Sequence, residues 1–203
     1  MPKSTFFNLS EEKRQRIINA TIDEFIENSY ENVTISNIAK RSSIPVGSFY
    51  QYFYDKDDLY LYLFFEIDIR ILEICENEKL TYIDIKEDKE IDIYKYVTPK
   101  ELAFYDTWYF VPNDVMRKYY FGEYDNRVFD LCRQKIEQYR DEGRLIDTVD
   151  INFILYFYVT STFNVYMYCK KNNIDDEKKR LELKIQFFEE VLSNGIFKKP
   201  NKN

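Results

Sequence analysis

The residue types that most often carry out catalysis are sparse in this chain of 203 residues. Histidine is absent, which removes the usual general base, the commonest metal ligand and every catalytic triad that depends on imidazole. The four glycines are at least 21 residues apart, whereas a phosphate-binding loop needs several of them close together. The acidic run Asp175-Asp176-Glu177 could mimic a magnesium site, but the helix dipole alone favours acids at a helix N-terminus. We therefore expect no catalytic residue, no metal and no cofactor, and keep an all-helical enzyme only as an alternative.

The cysteines and the apolar segments bear on the compartment of the protein. Cys75, Cys132 and Cys169 match neither a metal-binding spacing nor a small disulfide framework, so we expect reduced thiols. The N-terminal residues contain no apolar segment of signal-peptide length. Residues 151–169 are uncharged and long enough to cross a membrane, but their serine, threonine, asparagine and tyrosine content is too polar for lipid. We expect a cytoplasmic protein in which this segment is a helix buried in a bundle or at a subunit interface.

Composition predicts the fold class. The chain contains 4 glycines and 5 prolines, and β-architectures need such residues at short intervals, so an all-α fold is expected. The net charge of −7, from 29 basic and 36 acidic side chains, argues by itself against nucleic acid as a partner. Residues 1–56, however, contain seven side chains of each sign, so the excess of negative charge lies in residues 57–203.

Capping residues and apolar spacing predict four helices in the first quarter of the chain. Helices of two turns are unstable alone in water, so the second and third must share a core, for which we expect Ile38, Ala39, Ile44, Phe49 and Phe53. Two short helices joined by a tight turn and clamped by a longer helix form a helix-turn-helix. The first helix is predicted at about 10–28, the second runs from its cap Thr34 to a break at Ser42-Ser43, and the third and fourth are predicted at about 45–52 and 55–78. Ser10 and Asp55 are the other expected N-caps, and Pro45 is expected at the first position of the third helix.

The rest of the chain gives coarser helix signals. We expect the two final helices, the first uncharged over residues 151–169 and the second with apolar residues at periodic spacing, to form a four-helix dimer interface with a second copy. The predicted ranges are 98–111, 113–122, 123–142 with Gly143 as a C-terminal stop, 151–171 capped by Asp150, and 175–193 capped by Asp175.

Two stretches of the first quarter carry a specific motif: TISNIA over residues 34–39 and GSFYQYFYDKDDL over residues 47–59. Together with the helix before them, they resemble the N-terminal domain of the tetracycline-repressor (TetR) family over about 50 of the 203 residues. Two differences matter. Where the family usually has Ala-Gly-Val, this chain has Ser42-Ser43-Ile44, so a residue other than glycine must adopt a left-handed backbone at a cost of about 1 kcal/mol. Val46 replaces a commonly polar or basic residue.

The resemblance implies a helix-turn-helix DNA-binding domain at residues 1–55 and a helical ligand-binding and dimerisation domain at residues 56–203. It implies a homodimeric regulator, in most cases a repressor, that binds a palindromic double-stranded operator and responds to a small molecule. Thr34 and Lys56 would hold phosphates, Gln51 would pair with an adenine edge, and Val46 would meet a thymine methyl group. The expected DNA-binding residues are Thr34, Ser36, Asn37, Val46, Ser48, Tyr50, Gln51, Tyr52 and Lys56, with Phe49 and Phe53 in the core.

Aromatic side chains are dense in the middle of the chain. They either fill a core or line a pocket for an effector, and the resemblance favours the pocket because the family's effector site lies among these helices. The excess of acidic residues after residue 56 favours a hydrophobic or aromatic effector that is neutral or cationic. The alternative is a DNA-binding protein without an effector site. The expected ligand-binding residues are Phe104, Tyr105, Trp108, Tyr109, Tyr120, Phe121 and Phe129.

Overall fold

All the regular elements in the described part of the chain are helices, which confirms the predicted all-α class. A computed structural model describes residues 1–77, 97–145 and 148–194. None of the helices in these ranges is both long and apolar enough to cross a membrane. The α-helices of these ranges are α1 (Ser4–Phe7), α2 (Glu11–Glu27), α3 (Ile35–Arg41), α4 (Val46–Tyr52), α5 (Lys56–Asn77), α6 (Pro99–Asp106), α7 (Asn113–Tyr120), α8 (Arg127–Asp141), α9 (Ile151–Lys171) and α10 (Glu177–Gln186).

Side-chain caps start most of these helices where the sequence predicts them. Ser10 Oγ accepts a hydrogen bond from Lys13 N at the start of α2, and Asp55 Oδ1 accepts from Asp58 N at 2.7 Å at the start of α5. Asp150 Oδ1 accepts from Asn152 N at 2.8 Å and thereby begins α9. Each cap satisfies an amide that has no partner within its own helix.

Several helix boundaries differ from the prediction. Pro45 is the N-cap of α4 and not its first residue. The predicted helix to residue 111 ends at Asp106 and continues as a 3-10 turn, Thr107–Phe110. The start predicted at residue 123 lies at Arg127, because a turn follows Gly122, whose φ is +69°. The last helix is capped by Asp176 and not by Asp175, and Phe187–Ser193 continues it as a π-helix.

Helix α1 has no counterpart in the prediction. It is only four residues long and has no side-chain cap, so no local signal marks it. Tertiary packing holds it instead, because Phe6 is fully buried.

Contacts divide the chain into two compact units, residues 1–116 and 117–203. In the first unit the centre of the core is aromatic: the Tyr60 ring centroid lies 4.8 Å from that of Phe25 and 4.9 Å from that of Phe104, which joins α2, α5 and α6. In the second unit α9 packs against α8 and α10. Among the described cysteine side chains, that of Cys169 is a buried free thiol, and that of Cys132 is half-buried. The side chain of Cys75 lies outside the described residues.

Candidate nucleic-acid interface

The turn between α3 and α4 is a Schellman motif built on serine. Ile44 N donates to Ala39 O at 2.9 Å and Ser43 N donates to Lys40 O at 3.2 Å, the two hydrogen bonds that define the motif. Ser43 has φ +54°, a conformation that glycine usually supplies. The predicted left-handed residue in this turn is therefore confirmed, and it is Ser43.

The two short helices share one apolar core. Each of the five residues predicted for it is at most 7% exposed, and Phe49 and Phe53 are fully buried. Their rings pack 5.5 Å apart between centroids. This contact fixes which face of α4 turns inward, since a seven-residue helix has too few internal hydrogen bonds to be stable alone. The buried set is Ile38, Ala39, Ile44, Phe49 and Phe53.

A buried carboxylate ties α3 to α2. Glu24 is 1% exposed; its Oε1 accepts from Asn37 Nδ2 at 2.9 Å, and its Oε2 lies 2.8 Å from Arg41 Nε. Asn37 and Arg41 stand one turn apart on α3, so a single carboxylate fixes the orientation of that helix. Glu24 also lies at helical spacing from Ile17 and Thr21 on the buried stripe of α2. An acidic residue at a core position of the predicted helix is the sequence signal from which its buried ion pair could have been predicted.

Lys56 closes the loop that precedes α3. Its Nζ donates to Tyr30 O at 2.7 Å and to Val33 O at 3.2 Å, and it lies 4.5 Å from the centroid of the Tyr30 ring. The Tyr30 hydroxyl donates to Asp57 Oδ1 at 2.6 Å, and burial together with this hydrogen bond raises the pKa of Tyr30 well above its usual range. The lysine thus positions the start of α3 from within the protein.

Most of the remaining predicted DNA-binding residues are exposed on α3 and α4. Val46 and Tyr50 are one turn apart on α4 and are 44% and 49% exposed, and Gln51 beside them is exposed as well. Tyr52 lies on the inner side of α4, 5% exposed, with its hydroxyl 3.1 Å from Lys13 Nζ. The exposed members of the predicted set are Thr34, Ser36, Asn37, Val46, Tyr50 and Gln51, while Ser48 and Lys56 are half-buried.

The predicted ligand-binding aromatics of the first unit lie in its core. Phe104, Trp108 and Tyr109 are at most 4% exposed. The Trp108 ring stacks on the Phe64 ring at 3.9 Å between centroids, and the Tyr105 ring stacks on the same Phe64 ring at 4.9 Å. The Tyr105 hydroxyl also donates to Asp68 Oδ1 at 2.7 Å. These rings fill the space among α5, α6 and the 3-10 turn.

The predicted aromatics of the second unit gather on α9. Phe121 lies 5.5 Å from Phe163 and 6.1 Å from Tyr156 between ring centroids, and Phe129 lies 6.3 Å from Tyr156. Tyr120 is 8% exposed, whereas Phe121, Phe129 and Phe163 are half-buried. This cluster is thus more open than the aromatic core of the first unit. Among the residues that the structure describes, no group of three or more cysteine, aspartate or glutamate side chains is placed to hold a metal ion.

Comparison with protein families identifies the helix-turn-helix region. Residues 17–63 match the model of the bacterial regulatory proteins of the tetR family. The match begins within α2, spans α3 and α4 and ends within α5, so it contains both the Glu24 and the Lys56 contacts.

Two curated proteins are similar to part of this chain. The HTH-type transcriptional regulator HbdR of Aromatoleum sp. (strain CIB) is 45% identical over 51 residues, which are 25% of this chain and 22% of HbdR. The fatty acid metabolism regulator protein of Bacillus subtilis (strain 168) is 31% identical over 84 residues, 41% of this chain and 43% of that protein. The similarity therefore spans less than half the length of either relative.

One solved structure extends the likeness of the fold along the chain. It is described as a TetR-family transcriptional regulator from Syntrophomonas wolfei str. Goettingen and has a TM-score of 0.59 with 18% sequence identity. The superposition covers 95% of this chain and 99% of that one. The arrangement of helices is thus shared beyond the region of sequence similarity.

Proposed function

We propose that this chain, whose residues 17–63 match the model of the tetR family of bacterial regulatory proteins, is a transcriptional regulator that binds operator DNA through α3 and α4. The observation that carries the proposal is the exposed face of α4. Val46, Tyr50 and Gln51 point away from a core that holds the helix in place. A helix presented in this way can enter the major groove, where the edges of the bases are distinguishable.

Each exposed side chain has a defined chemical role in this proposal. The Gln51 amide can donate to and accept from an adenine edge, and Val46 can contact a thymine methyl group. Tyr50 supplies a hydroxyl for a phosphate and a ring face for a sugar, and Thr34 offers its hydroxyl to a phosphate at the start of α3. Ser36, Asn37 and Ser48 add polar contacts at the edge of the same face. Tyr52 and Lys56 support this face from inside the domain.

Electrostatic attraction contributes little to this interface. Arg41 pairs with Glu24 and Glu27. Lys3, Arg16 and Lys56 donate to backbone carbonyl groups, so at least four of the seven basic residues of this region serve the fold. The number of neutralised phosphates sets the salt dependence of DNA affinity. We therefore expect a shallow salt dependence and a specificity that rests on side chains of α4.

The regulator acts as a homodimer on a palindromic operator in this proposal. Helix α9 exposes one face with Phe153, Phe157 and Tyr168 at 66%, 47% and 55%, and the rings of Phe153 and Phe157 are stacked. Aromatic side chains at helical spacing on an exposed face favour a subunit interface. A two-fold dimer presents two recognition helices, which matches two inverted half-sites.

The open aromatic cluster of the second unit supports a response to a hydrophobic small molecule. Phe121 and Phe129 are half-buried and offer ring faces that are not fully enclosed, whereas Phe104, Trp108 and Tyr109 are packed in the first unit. An effector that binds a dimer conformation of low DNA affinity better than one of high DNA affinity, or the reverse, would shift the population towards the conformation that it prefers. The aromatic side chains of the first unit are tightly packed. If the cluster of the second unit also excludes ligands, the alternative applies, in which the protein binds DNA without an effector.

Selection from a random pool of duplexes tests the proposal. The parent protein should enrich an inverted repeat, and Tyr50→Ala and Gln51→Ala should each bind the selected duplex about 10-fold more weakly. Tyr139→Ala, which removes a tyrosine from α8 of the second unit, is the matched control and should bind like the parent. Failure to enrich any sequence, or equal binding by all four proteins, would refute DNA recognition through α4.

A further inference from the structure

The carbonyl groups at the C-terminal end of α4 need hydrogen-bond donors from outside the helix. The last carbonyl groups of any α-helix have no amide partner within the helix. In α4, Phe53 N donates to Phe49 O at 3.0 Å, which leaves the carbonyl groups of residues 50, 51 and 52. Two of these belong to Tyr50 and Gln51, the residues on the exposed face.

Residues at the start of the chain provide the three missing donors. Lys3 Nζ donates to Tyr50 O at 2.7 Å, and Lys3 N donates to Tyr52 O at 2.8 Å. The Thr5 hydroxyl donates to Gln51 O. Every carbonyl group from residue 50 to residue 52 is thus capped from a segment that is more than 40 residues away in sequence.

An aromatic anchor holds this segment in place. Phe6 is fully buried, with its ring centroid 4.7 Å from that of Phe53 and 5.5 Å from that of Tyr62. The Lys3 ammonium group lies 4.4 Å from the centroid of the Tyr54 ring. The segment is therefore connected to α4, to the residues that follow it, and to α5.

We infer that residues 3–7 form a clamp that sets the position of Tyr50 and Gln51, so that Lys3 and Thr5 act as positioning residues for sequence recognition. This inference rests on the proposed binding of DNA through α4. The clamp acts on the backbone from behind the exposed face, and its loss would loosen the end of the helix from which the bases are read. Recognition of specific sequence should then suffer more than general attraction to DNA, because base contacts need accurate placement and phosphate contacts do not.

Thr5→Val is the sharpest test, because valine keeps the shape of threonine and removes only the hydroxyl donor. Lys3→Met removes the ammonium donor and keeps most of the side-chain length. The matched control is Ser4→Ala, which removes an exposed hydroxyl from the same short helix. Phe6 is unsuitable as a first target, because truncating a fully buried ring can unfold the domain.

Two measurements on the full chain separate the clamp from DNA binding itself. Hydrogen–deuterium exchange without DNA should show faster exchange of the amides of residues 50–54 in Thr5→Val and in Lys3→Met than in the parent or Ser4→Ala. Affinity for the duplex selected by the parent should fall about 2- to 10-fold in each clamp variant, as loss of one hydrogen bond predicts. Affinity of Thr5→Val for a scrambled duplex of equal length, and the salt dependence of its binding, should stay unchanged.

The outcomes are distinct. Unchanged amide exchange in both variants, or unchanged affinity for the selected duplex, would overturn the inference. An equal loss on the selected and the scrambled duplex in Lys3→Met, with a salt slope smaller by about one unit, would also overturn it for Lys3, because that pattern identifies a phosphate contact. If the parent selects no duplex, the proposed function fails, and the exchange measurement still decides whether the clamp holds α4.

Discussion

Arg41 Nε lies 2.8 Å from the buried carboxylate oxygen Glu24 Oε2, while the same guanidinium group also reaches the exposed carboxylate of Glu27. One arginine of α3 therefore meets two acids of α2 that differ mainly in burial, 1% against 54% exposed. A buried carboxylate without its partners would carry an uncompensated charge, whereas water solvates an exposed one. The buried pair should thus determine how α3 is held.

Glu24→Gln should lower the free energy of unfolding by about 1–3 kcal/mol, because it removes a buried ion pair and its single amide oxygen can accept from only one of Arg41 and Asn37. Glu27→Gln is the matched control: it removes the exposed partner of the same arginine and should leave the unfolding curve unchanged. Urea denaturation followed by circular dichroism measures both. Equal effects of the two substitutions would contradict the role given to Glu24.

Ser43→Gly should stabilise the protein, by about 0.5–1 kcal/mol, because serine at φ +54° is strained and glycine is not. Ser48→Gly makes the same chemical change inside α4 and should destabilise by about 0.5 kcal/mol, since glycine is a poor helix former. The two variants should therefore shift the urea midpoint in opposite directions. If Ser43→Gly lowers the urea midpoint as Ser48→Gly does, the left-handed turn is not strained.

Local signals explain how much of this structure the sequence could predict. The helix starts at Ser10, Thr34 and Asp150 depend on a side chain and an amide two or three residues apart, so short-range patterns suffice. Helix α1 depends on burial of Phe6 against residues far along the chain, which no local pattern contains. The same limit applies to the candidate site.

At the candidate site, the exposed face of α4 follows from helical spacing around Phe49 and Phe53. The internal role of Lys56 does not, because its acceptors are the carbonyl groups of Tyr30 and Val33. Every residue has a backbone carbonyl group, so the residue types do not show which of these groups accept a hydrogen bond. A lysine beside a predicted recognition helix therefore suggests a phosphate contact from sequence, and the structure assigns it a different use.

Lys56→Met should lower the free energy of unfolding by about 1–2 kcal/mol, because two carbonyl groups before α3 lose their donor. The salt slope of DNA binding should change by less than the one unit expected for a phosphate contact. Lys40→Met, an exposed lysine at the end of α3, is the control and should leave stability unchanged. If Lys56→Met is as stable as the parent and lowers the slope by one unit, Lys56 binds a phosphate as the sequence suggests.

Glu101 should make stability depend on pH in the acid range. Burial raises the pKa of its carboxyl group, but hydrogen bonds from Arg70 and from Thr98 lower it more, so the net pKa lies below its usual value. A carboxyl group with a lowered pKa in the folded state contributes stability above its unfolded pKa, about 4.3, and loses it as pH falls through the folded value. Comparing the unfolding of Glu101→Gln with that of the parent should show a deficit at pH 6 that shrinks by pH 3. A deficit that grows towards acid pH would contradict this.

Phe153→Glu should convert the proposed dimer to a monomer. Phe153 is 66% exposed on the α9 face, and a charge placed in an apolar interface would be buried without a partner. Phe110→Glu offers a matched control, because Phe110 is also 66% exposed but lies in the first unit. In sedimentation velocity at micromolar concentration, the parent and Phe110→Glu should sediment as dimers and Phe153→Glu as a monomer. A monomeric parent, or a dimeric Phe153→Glu, would show that this face of α9 does not form the subunit interface.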